Sequence, residues 1–292
     1  MHLSARPPDQ DASRADPFLP REIELEVFVL AFRYCEDPKS QAPLLRIAKR
    51  VSEWLLPLFY RVAIIHHDGI NTRYPPLASL EKYGHHTRHL FILNNSRKGP
   101  PMSTSALLSS CPNMTNIAFW YRTPLIPGIL DLPIKRLALN GFYLKSFEGG
   151  HGSNPKDTRL VQWCSNITHL SLGAGELYSE TDIRYLTLFP ALKYLILLDH
   201  SHLDRVDVIL RHCPSLRVVI GLGMVGFVRD YTTAQVCRDL DEDDGRDIRV
   251  VKMDGLFMTD WIRGARGSDL EDIWKLAERE VEDEGRRNVF AD

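Results

Sequence analysis

The residues best placed for chemistry form a glycine motif at positions 221–226. Gly221, Gly223 and Gly226 have GxGxxG spacing and follow an apolar run, LRVVI. Such a loop binds a dinucleotide when it opens a helix inside a β-α-β unit and a single acidic residue ends the next strand. Here the following segment, FVRDYTT, favours a strand, and the acidic residues downstream are clustered. A nucleotide-binding enzyme is therefore the least favoured hypothesis for this chain.

Histidine and acidic clusters give the other candidate sites. His85 and His89 would share one face of a helix, where imidazoles can bind zinc, but their segment has the pattern of a loop that enters a strand. The run DHSH at 199–202 follows a strand without the GxSxG motif of a nucleophile elbow. The acidic run at 238–247 lacks the alternating ligands and closing Glu of a calcium loop. We therefore predict no catalytic residue, no metal site and no cofactor.

A repeat in the sequence predicts the elements that surround these candidates. The pattern is apolar, two variable residues, apolar, one variable residue, apolar. Its first positions are 87, 114, 134, 167, 192, 216 and 248, which gives steps of 27, 20, 33, 25, 24 and 32 residues. Four copies follow a helical segment that ends in Cys or Phe: ALLSSCPNM, LVQWCSNI, YLTLFPAL and VILRHCPSL. A repeated helix–strand unit near the leucine-rich-repeat period predicts a short solenoid with a parallel sheet, and we assign it to residues 64–260.

The variable positions predict the surface of that sheet. Because strand side chains alternate, the residues flanking the middle apolar position share one face. These residues form two rows: the first precedes the middle apolar position of each copy, and the second follows it. The second row comprises Phe91, Ala118, Ala138, Ser171, Ile196, Ile220 and Lys252. The first row is polar and aromatic before it becomes apolar at Val218 and Val250, and such a row suits protein recognition. The alternative is a merely solvated sheet face. The residues predicted to face a protein target are His89, Asn116, Arg136, His169 and Tyr194.

The apolar end of the sheet predicts a cover. Ser268 and Glu271 have the spacing of a capping box, and the helix that follows has one apolar face. We expect this helix, within residues 261–292, to cap the last repeats and to bury Trp274. The apolar positions that require this cover are Ile196, Leu198, Val218 and Ile220.

The amino-terminal segment predicts a small helical module at residues 17–63, after a disordered tail at 1–16. Its two parts, FLPREIELEVFVLA and LLRIAKRVSEWLLPLFYRVAII, have apolar residues at helical spacing. Pro20 and the acidic Glu22 and Glu24 suit a first helical turn, whereas Pro57 should end or kink the second part. Helices of this size cannot bury all their apolar faces on each other, so the module should need a partner.

These two segments resemble the opening and close of the F-box, as found in families expanded in mushroom-forming fungi. The resemblance covers about one sixth of the chain and departs from the common pattern in its short middle, CEDPKSQAP, and at Ile47-Ala48-Lys49. It implies a three-helix module that binds the Skp adaptor of a cullin–RING ubiquitin ligase, while the remaining domain holds an unknown protein target. The positions that the resemblance assigns to the adaptor surface, or to the packing behind it, are Leu19, Pro20, Ile23, Val27, Leu30, Leu44, Val51 and Trp54.

Composition limits the other functions. The chain has 36 basic and 38 acidic residues in 292, so no electrostatic footprint for nucleic acid stands out. No apolar run reaches the ~18 residues of a membrane span. The five cysteines lie far apart, as expected for reduced thiols in the cytoplasm or nucleus. The sequence thus predicts a non-enzymatic adaptor of mixed α and β structure. A repeat-protein binding scaffold with no ubiquitin role is the alternative.

Overall fold

The structure is a computed structural model. The expected tail at 1–16, Leu19, the DHSH run, the acidic run and the capping box of Ser268 all lie outside the described residues. The residues that the structure describes are 20–35, 38–66, 77–93, 104–119, 128–139, 158–173, 183–198, 205–223, 235–236, 250–254 and 273–289.

The chain divides into two compact units, and the first ends at Leu55. It contains α1 (Arg21–Tyr34), α2 (Pro38–Gln41), a 3-10 turn (Leu44–Arg46) and the start of α3 (Lys49–Phe59). α1 begins directly after Pro20, as the sequence predicts. Pro57 lies inside α3, two residues before its end.

Polar side chains fasten the helices of this first unit. The Gln41 amide donates hydrogen bonds to the carbonyls of Phe32 (3.0 Å) and Cys35 (2.7 Å) at the end of α1. These bonds satisfy carbonyls that the helix itself leaves without a donor. An ion pair of 2.6 Å between Arg50 Nη2 and Glu24 Oε1 joins α1 to α3. Gln41 therefore links α2 to the end of α1, and the ion pair links α1 to α3.

The second unit begins at Leu56 and is organised by one sheet. Within the described residues, nine strands lie in the order β1-β2-β3-β4-β5-β6-β7-β9-β8, and only β8 runs antiparallel to its neighbour. The coarse expectation of a mixed α/β fold with a parallel sheet is confirmed. The strands are β1 (Val62–His66), β2 (His89–Leu93), β3 (Asn116–Phe119), β4 (Arg136–Leu139), β5 (His169–Leu172), β6 (Tyr194–Leu197), β7 (Val218–Gly223), β8 (Gln235–Val236) and β9 (Val250–Asp254).

Short helices connect the strands, and a long one follows them. The described connections contain α4 (Leu77–Tyr83), α5 (Thr104–Ser110), α6 (Thr158–Cys164), α7 (Val206–His212) and 3-10 turns at Gly84–His86, Ile129–Asp131 and Tyr185–Leu188. The last described helix is α8 (Ile273–Val289). No helix in the described part of the chain combines the length and apolar character needed to cross a membrane.

The strand register follows the predicted repeat from β2 to β7. His89 lies opposite Asn116, and the same row continues through Arg136, His169 and Tyr194 to Val218. The expected continuation to Val250 is wrong by one residue, because Val250 pairs with Val219. This shift places Val251 opposite Ile220, and both side chains are buried in the same cluster.

The sheet begins one strand earlier than the repeat pattern indicated. The apolar run after Pro57 forms β1, with Val62 opposite His89. In this additional copy, Tyr60 occupies the position that Thr87 occupies in the copy containing β2. The Thr87 hydroxyl donates a hydrogen bond of 2.9 Å to the Tyr60 carbonyl. This bond explains how a polar residue occupies a position that is apolar in most other copies.

The Cys or Phe that ends the helical segment of four repeat copies lies in a buried turn before the strand. Cys111, Cys164, Phe189 and Cys213 are all buried, and each carbonyl accepts the backbone N–H of the residue three positions on at 3.0–3.2 Å. Gly84 occupies the same place in an earlier copy, where a Cβ would lie only 2.3 Å from the Ser110 carbonyl oxygen. Burial raises the pKa of the Cys111 and Cys213 thiols to about 11 and that of Cys164 to about 12. These thiols stay protonated and serve packing.

Both faces of the sheet are buried. One face forms a core with the connecting helices that includes Leu90, Ile117, Leu137, Leu170 and Leu195. Five residues of the second row lie in another buried cluster, together with residues of β1, β9 and α8: Phe91, Ala118, Ala138, Ile196 and Ile220. The expected continuation of this row to Lys252 is wrong by one residue, because Val251 lies opposite Ile220. A parallel sheet covered on both faces is the usual arrangement for this strand direction.

Candidate binding surfaces

The first candidate surface is an apolar face of α1. Ile23, Val27 and Leu30 follow each other at helical spacing and are 45%, 50% and 40% exposed. Pro20, directly before the helix, is exposed as well. Isolated exposed apolar side chains are ordinary, but a contiguous set on one helix is typical of an interaction site. The structure therefore places these predicted adaptor residues together and leaves them accessible.

The other predicted adaptor residues differ in exposure. Val51 is fully buried, so it can support the module only by packing. Leu44 and Trp54 are half-buried, and the Arg21 guanidinium lies 5.8 Å from the centre of the Trp54 ring. Ile47, which was not among the predicted site residues, is 56% exposed. The sequence signal that could have predicted Ile47 as a site residue was its helical spacing between the apolar residues Leu44 and Val51.

The second candidate surface is the polar row across the sheet. At its start, the side chains of His89 and Asn116 are both 7% exposed, and they share a hydrogen bond of 2.8 Å between Nδ1 and Nδ2. The amide nitrogen can only donate, so the imidazole accepts at Nδ1. Burial, reinforced by the charges of Arg61, Arg136 and Arg88, lowers the pKa of His89 to about 3. This imidazole is neutral near pH 7.

The middle of the row is an aromatic stack. The rings of His169 and Tyr194 lie 4.3 Å apart with planes inclined by 13°, and the rings of His169 and Trp274 are nearly perpendicular with their centres 5.0 Å apart. The Thr168 hydroxyl lies 2.8 Å from Nδ1 of His169. Burial, with the charges of Arg136 and Lys193, lowers the pKa of His169 to about 3. The row is thus brought together in register, and its role as a target-facing surface stays a prediction.

α8 covers the far end of this face. Trp274 is 5% exposed and lies in one buried cluster with Ile196, Val218 and Ile220. α8 contacts β7 and β9, so the expected cover on the last repeats is confirmed. This packing buries apolar side chains on both partners, which is the main favourable term for holding α8 there.

Glu278 fixes α8 to the sheet, and the sequence analysis did not single it out. The Tyr194 hydroxyl donates to Glu278 Oε1 at 2.8 Å, and Arg217 Nη2 lies 2.9 Å from the same oxygen. Burial, together with the bond to Glu278, raises the pKa of Tyr194. The available signal was the spacing of Glu278 four residues after Trp274, which puts both on one helix face.

Among the motifs considered for chemistry, Gly226, the DHSH run and the acidic run lie outside the described residues, and the described glycines and histidines do not form the geometry that was required of them. Gly221 and Gly223 lie within β7, opposite Lys252 and Asp254, rather than in a loop that opens a helix. His85 lies in a 3-10 turn and His89 in β2, so they do not share a helix face. Among the described residues, no group of three His, Cys, Asp or Glu side chains is placed to hold a metal ion.

These features define a mixed α/β protein with a capped parallel sheet and, in a separate unit, an exposed apolar helix face. A scan against protein-family models and a search of curated proteins returned no match for this chain.

Proposed function

We propose that this protein is a substrate-recognition adaptor of a Skp–cullin–F-box type ubiquitin ligase. Its amino-terminal helices bind the Skp adaptor, and its repeat domain holds a protein target. In this proposal the first unit is a three-helix F-box-like module, and the sheet with its helices is an irregular leucine-rich-repeat-like solenoid. The chain itself performs no catalytic step, and it acts in the cytoplasm or the nucleus.

The exposed apolar face of α1 is the observation that carries this proposal. Fully burying a side chain of the size of Ile23, Val27 or Leu30 contributes about 1.5–3 kcal/mol, and roughly half of each remains to be buried. A partner that covers all three would therefore gain about 3 kcal/mol from these side chains, before any contact of Pro20 or Ile47 is added. The resemblance of LPREIELEVF to the F-box opening supports the Skp adaptor as the partner in this proposal.

A pair of charge substitutions tests this assignment. Ile23→Asp with Val27→Asp should weaken binding to purified Skp adaptor at least tenfold, because two carboxylates would lie in an apolar contact. The melting temperature should stay close to that of the wild type, since both side chains are exposed. Isothermal titration calorimetry and a thermal melt measure the two effects.

Val161 provides a matched control. It is 50% exposed, as Val27 is, but it lies on α6 in the second unit. Val161→Asp should leave adaptor binding unchanged. If the Ile23/Val27 variant binds as well as the wild type, the assigned surface is wrong. Absence of adaptor binding by the wild type would reject the ubiquitin role and favour the binding-scaffold alternative.

A further inference from the structure

A column of basic residues runs along the sheet at the amino-terminal ends of its strands. Each member directly precedes the polar row or its equivalent in the neighbouring copy. Five of the seven members are basic, two are threonines, and none is acidic. In spatial order they are Arg61, Arg88, Thr115, Lys135, Thr168, Lys193 and Arg217.

Backbone hydrogen bonds fix the members of this column side by side. The carbonyl of each member accepts the N–H of the next: Arg88 to Arg61 at 2.9 Å, Lys135 to Thr115 at 2.7 Å and Arg217 to Lys193 at 2.8 Å are examples. Neighbouring strands lie about 4.8 Å apart, so the column extends for about 29 Å over its six steps. A linear surface of this length fits an extended chain better than a small ligand.

Four of the five basic side chains are exposed. Arg88, Lys135, Lys193 and Arg217 are exposed, and Arg61 is half-buried. Arg88 donates a hydrogen bond of 2.9 Å to the Asn113 carbonyl, which orients its guanidinium. Exposed basic side chains held at regular intervals form a local positive strip on a chain whose net charge is only −2.

Burial is the main cause of the lowered pKa values of His89 and His169, and positive charges of the column and of Arg136 add to it. The charged groups that lower the pKa of His89 are Arg61, Arg136 and Arg88, and those that lower the pKa of His169 are Arg136 and Lys193. All of these charges are positive. At one end of the column a carboxylate is already bound, because Glu278 of α8 lies 2.9 Å from Arg217.

We propose that the basic column binds an extended acidic segment of a protein, with carboxylates as the recognised groups. The contact between Glu278 and Arg217 shows the chemistry on a small scale. Arg88, Lys135 and Lys193 lie on every second strand, about 10 Å apart, which is close to the rise of about 9.3 Å per turn of a polyproline II chain. A segment with an acidic residue at every third position therefore matches the column. That this segment belongs to a ubiquitination target rests on the proposed function, whereas the binding itself does not.

The test uses the full-length protein and a fluorescein-labelled peptide, Glu-Pro-Ala repeated five times, with fluorescence anisotropy as the readout. Lys135→Glu with Lys193→Glu should weaken binding at least tenfold, and added salt should weaken wild-type binding because the contacts are exposed charges. The peptide with Gln in place of Glu should not bind. A wild-type protein that fails to bind the Glu peptide, or binds the Gln peptide equally well, would overturn the proposal.

Lys82→Glu with Arg211→Glu is the matched control. Both residues are exposed on helices of the same unit, and the change in net charge is the same. This control should bind the peptide within twofold of the wild type. An equal loss in the control would mean that net charge alone drives binding, and tighter binding of a single-stranded oligonucleotide would assign the column to nucleic acid instead. Both results reject the proposal.

Adaptor binding measured on the same variants separates this proposal from the proposed function. The Lys135/Lys193 variant should lose the peptide and retain the Skp adaptor. The Ile23/Val27 variant should do the reverse. If the wild type binds the Skp adaptor but not the peptide, only the basic-column proposal is rejected. If it binds the peptide but not the adaptor, only the proposed function is rejected.

Discussion

Replacing His89 by Gln should make the protein less sensitive to mild acid. The imidazole is buried beside Asn116, and its pKa in the folded protein is lowered from 6.5 to about 3. As the pH falls through 6.5, the unfolded chain binds a proton at this position and the folded chain does not. Stability is therefore lost from about pH 6.5 down to about pH 3, where the folded form also becomes protonated.

The magnitude follows from the same two pKa values. At pH 5 the solution is about 1.5 units below the unfolded pKa, and each unit corresponds to about 1.36 kcal/mol. Relative to pH 7, the free energy of unfolding should fall by about 2 kcal/mol because of His89 alone. His169 has a similarly lowered pKa and should contribute a separate loss. Glutamine keeps a group that can accept a hydrogen bond from Asn116 and removes the titration.

Urea denaturation at pH 7 and pH 5 measures this effect. The loss of stability between the two pH values should be about 2 kcal/mol smaller in His89→Gln than in the wild type. Carboxylates that titrate in the same range cancel in this comparison. Val161→Gln, at a half-exposed position of α6 that carries no titrating group, should keep the wild-type loss. An equal loss in the wild type and in His89→Gln would refute the reasoning.

Two further predictions concern packing. Trp274→Ala should lower the free energy of unfolding by about 3–5 kcal/mol, because removing the buried ring leaves a cavity between α8 and the sheet. As a control, replacing the exposed Glu282 by Ala should change this free energy by less than about 0.5 kcal/mol. Equal urea midpoints for the two variants would mean that α8 does not stabilise the sheet. Gly84→Ala should destabilise the protein more than Gly128→Ala in the same assay. At Gly84 the new Cβ would lie 2.3 Å from a backbone oxygen, whereas at Gly128 it would meet nothing within 4 Å and only the φ of +91° would be strained. The reverse order would show that the turn at Gly84 relaxes freely.

The repeat was predictable because its apolar positions face one core. From β2 to β7, a slip of one residue would turn every core side chain to the opposite face, so the pattern specifies the register strongly. The signal is weaker where neighbouring residues are equally apolar. Val250 and Val251 are both valine, and the residues opposite them, Val219 and Ile220, are also β-branched and apolar, as is Val218 before them. Either register buries a valine there, which explains why the predicted alignment of β9 was wrong by one residue.

The burial of the early second row was not predicted, although its composition contained the signal. Phe91, Ala118 and Ala138 are 0–4% exposed, and Ile64 of β1, which lies opposite Phe91 in this row, is buried too. Only the apolar end of the row was expected to need a cover. Small and aromatic residues without a charged neighbour in the same row are typical of a covered face as well. Counting the run after Pro57 as a strand would have added the apolar Ile64 to this row and the apolar Val62 to the first row.

The polar row and the basic column lie one residue apart along the same strands, and their environments separate them. Within the row, His89 bonds to Asn116, and the ring of His169 stacks on Tyr194, whose hydroxyl is bonded to Glu278. Polar groups that are satisfied in this way can remain inside a core, where an unsatisfied group would cost about 1–3 kcal/mol.

The column has the opposite character, because four of its five charged side chains are exposed to solvent. Lys135 and Lys193 are exposed, and the second of them contributes to the lowered pKa of His169. A solvated charge can exchange water for a partner's carboxylate, and such charge complementarity favours association and specificity. The alternation of side chains along a strand shows only that neighbouring residues point to opposite faces of the sheet. Which of the two positions is left for a partner depends on how the sheet is covered, and here the covered row leaves the column accessible.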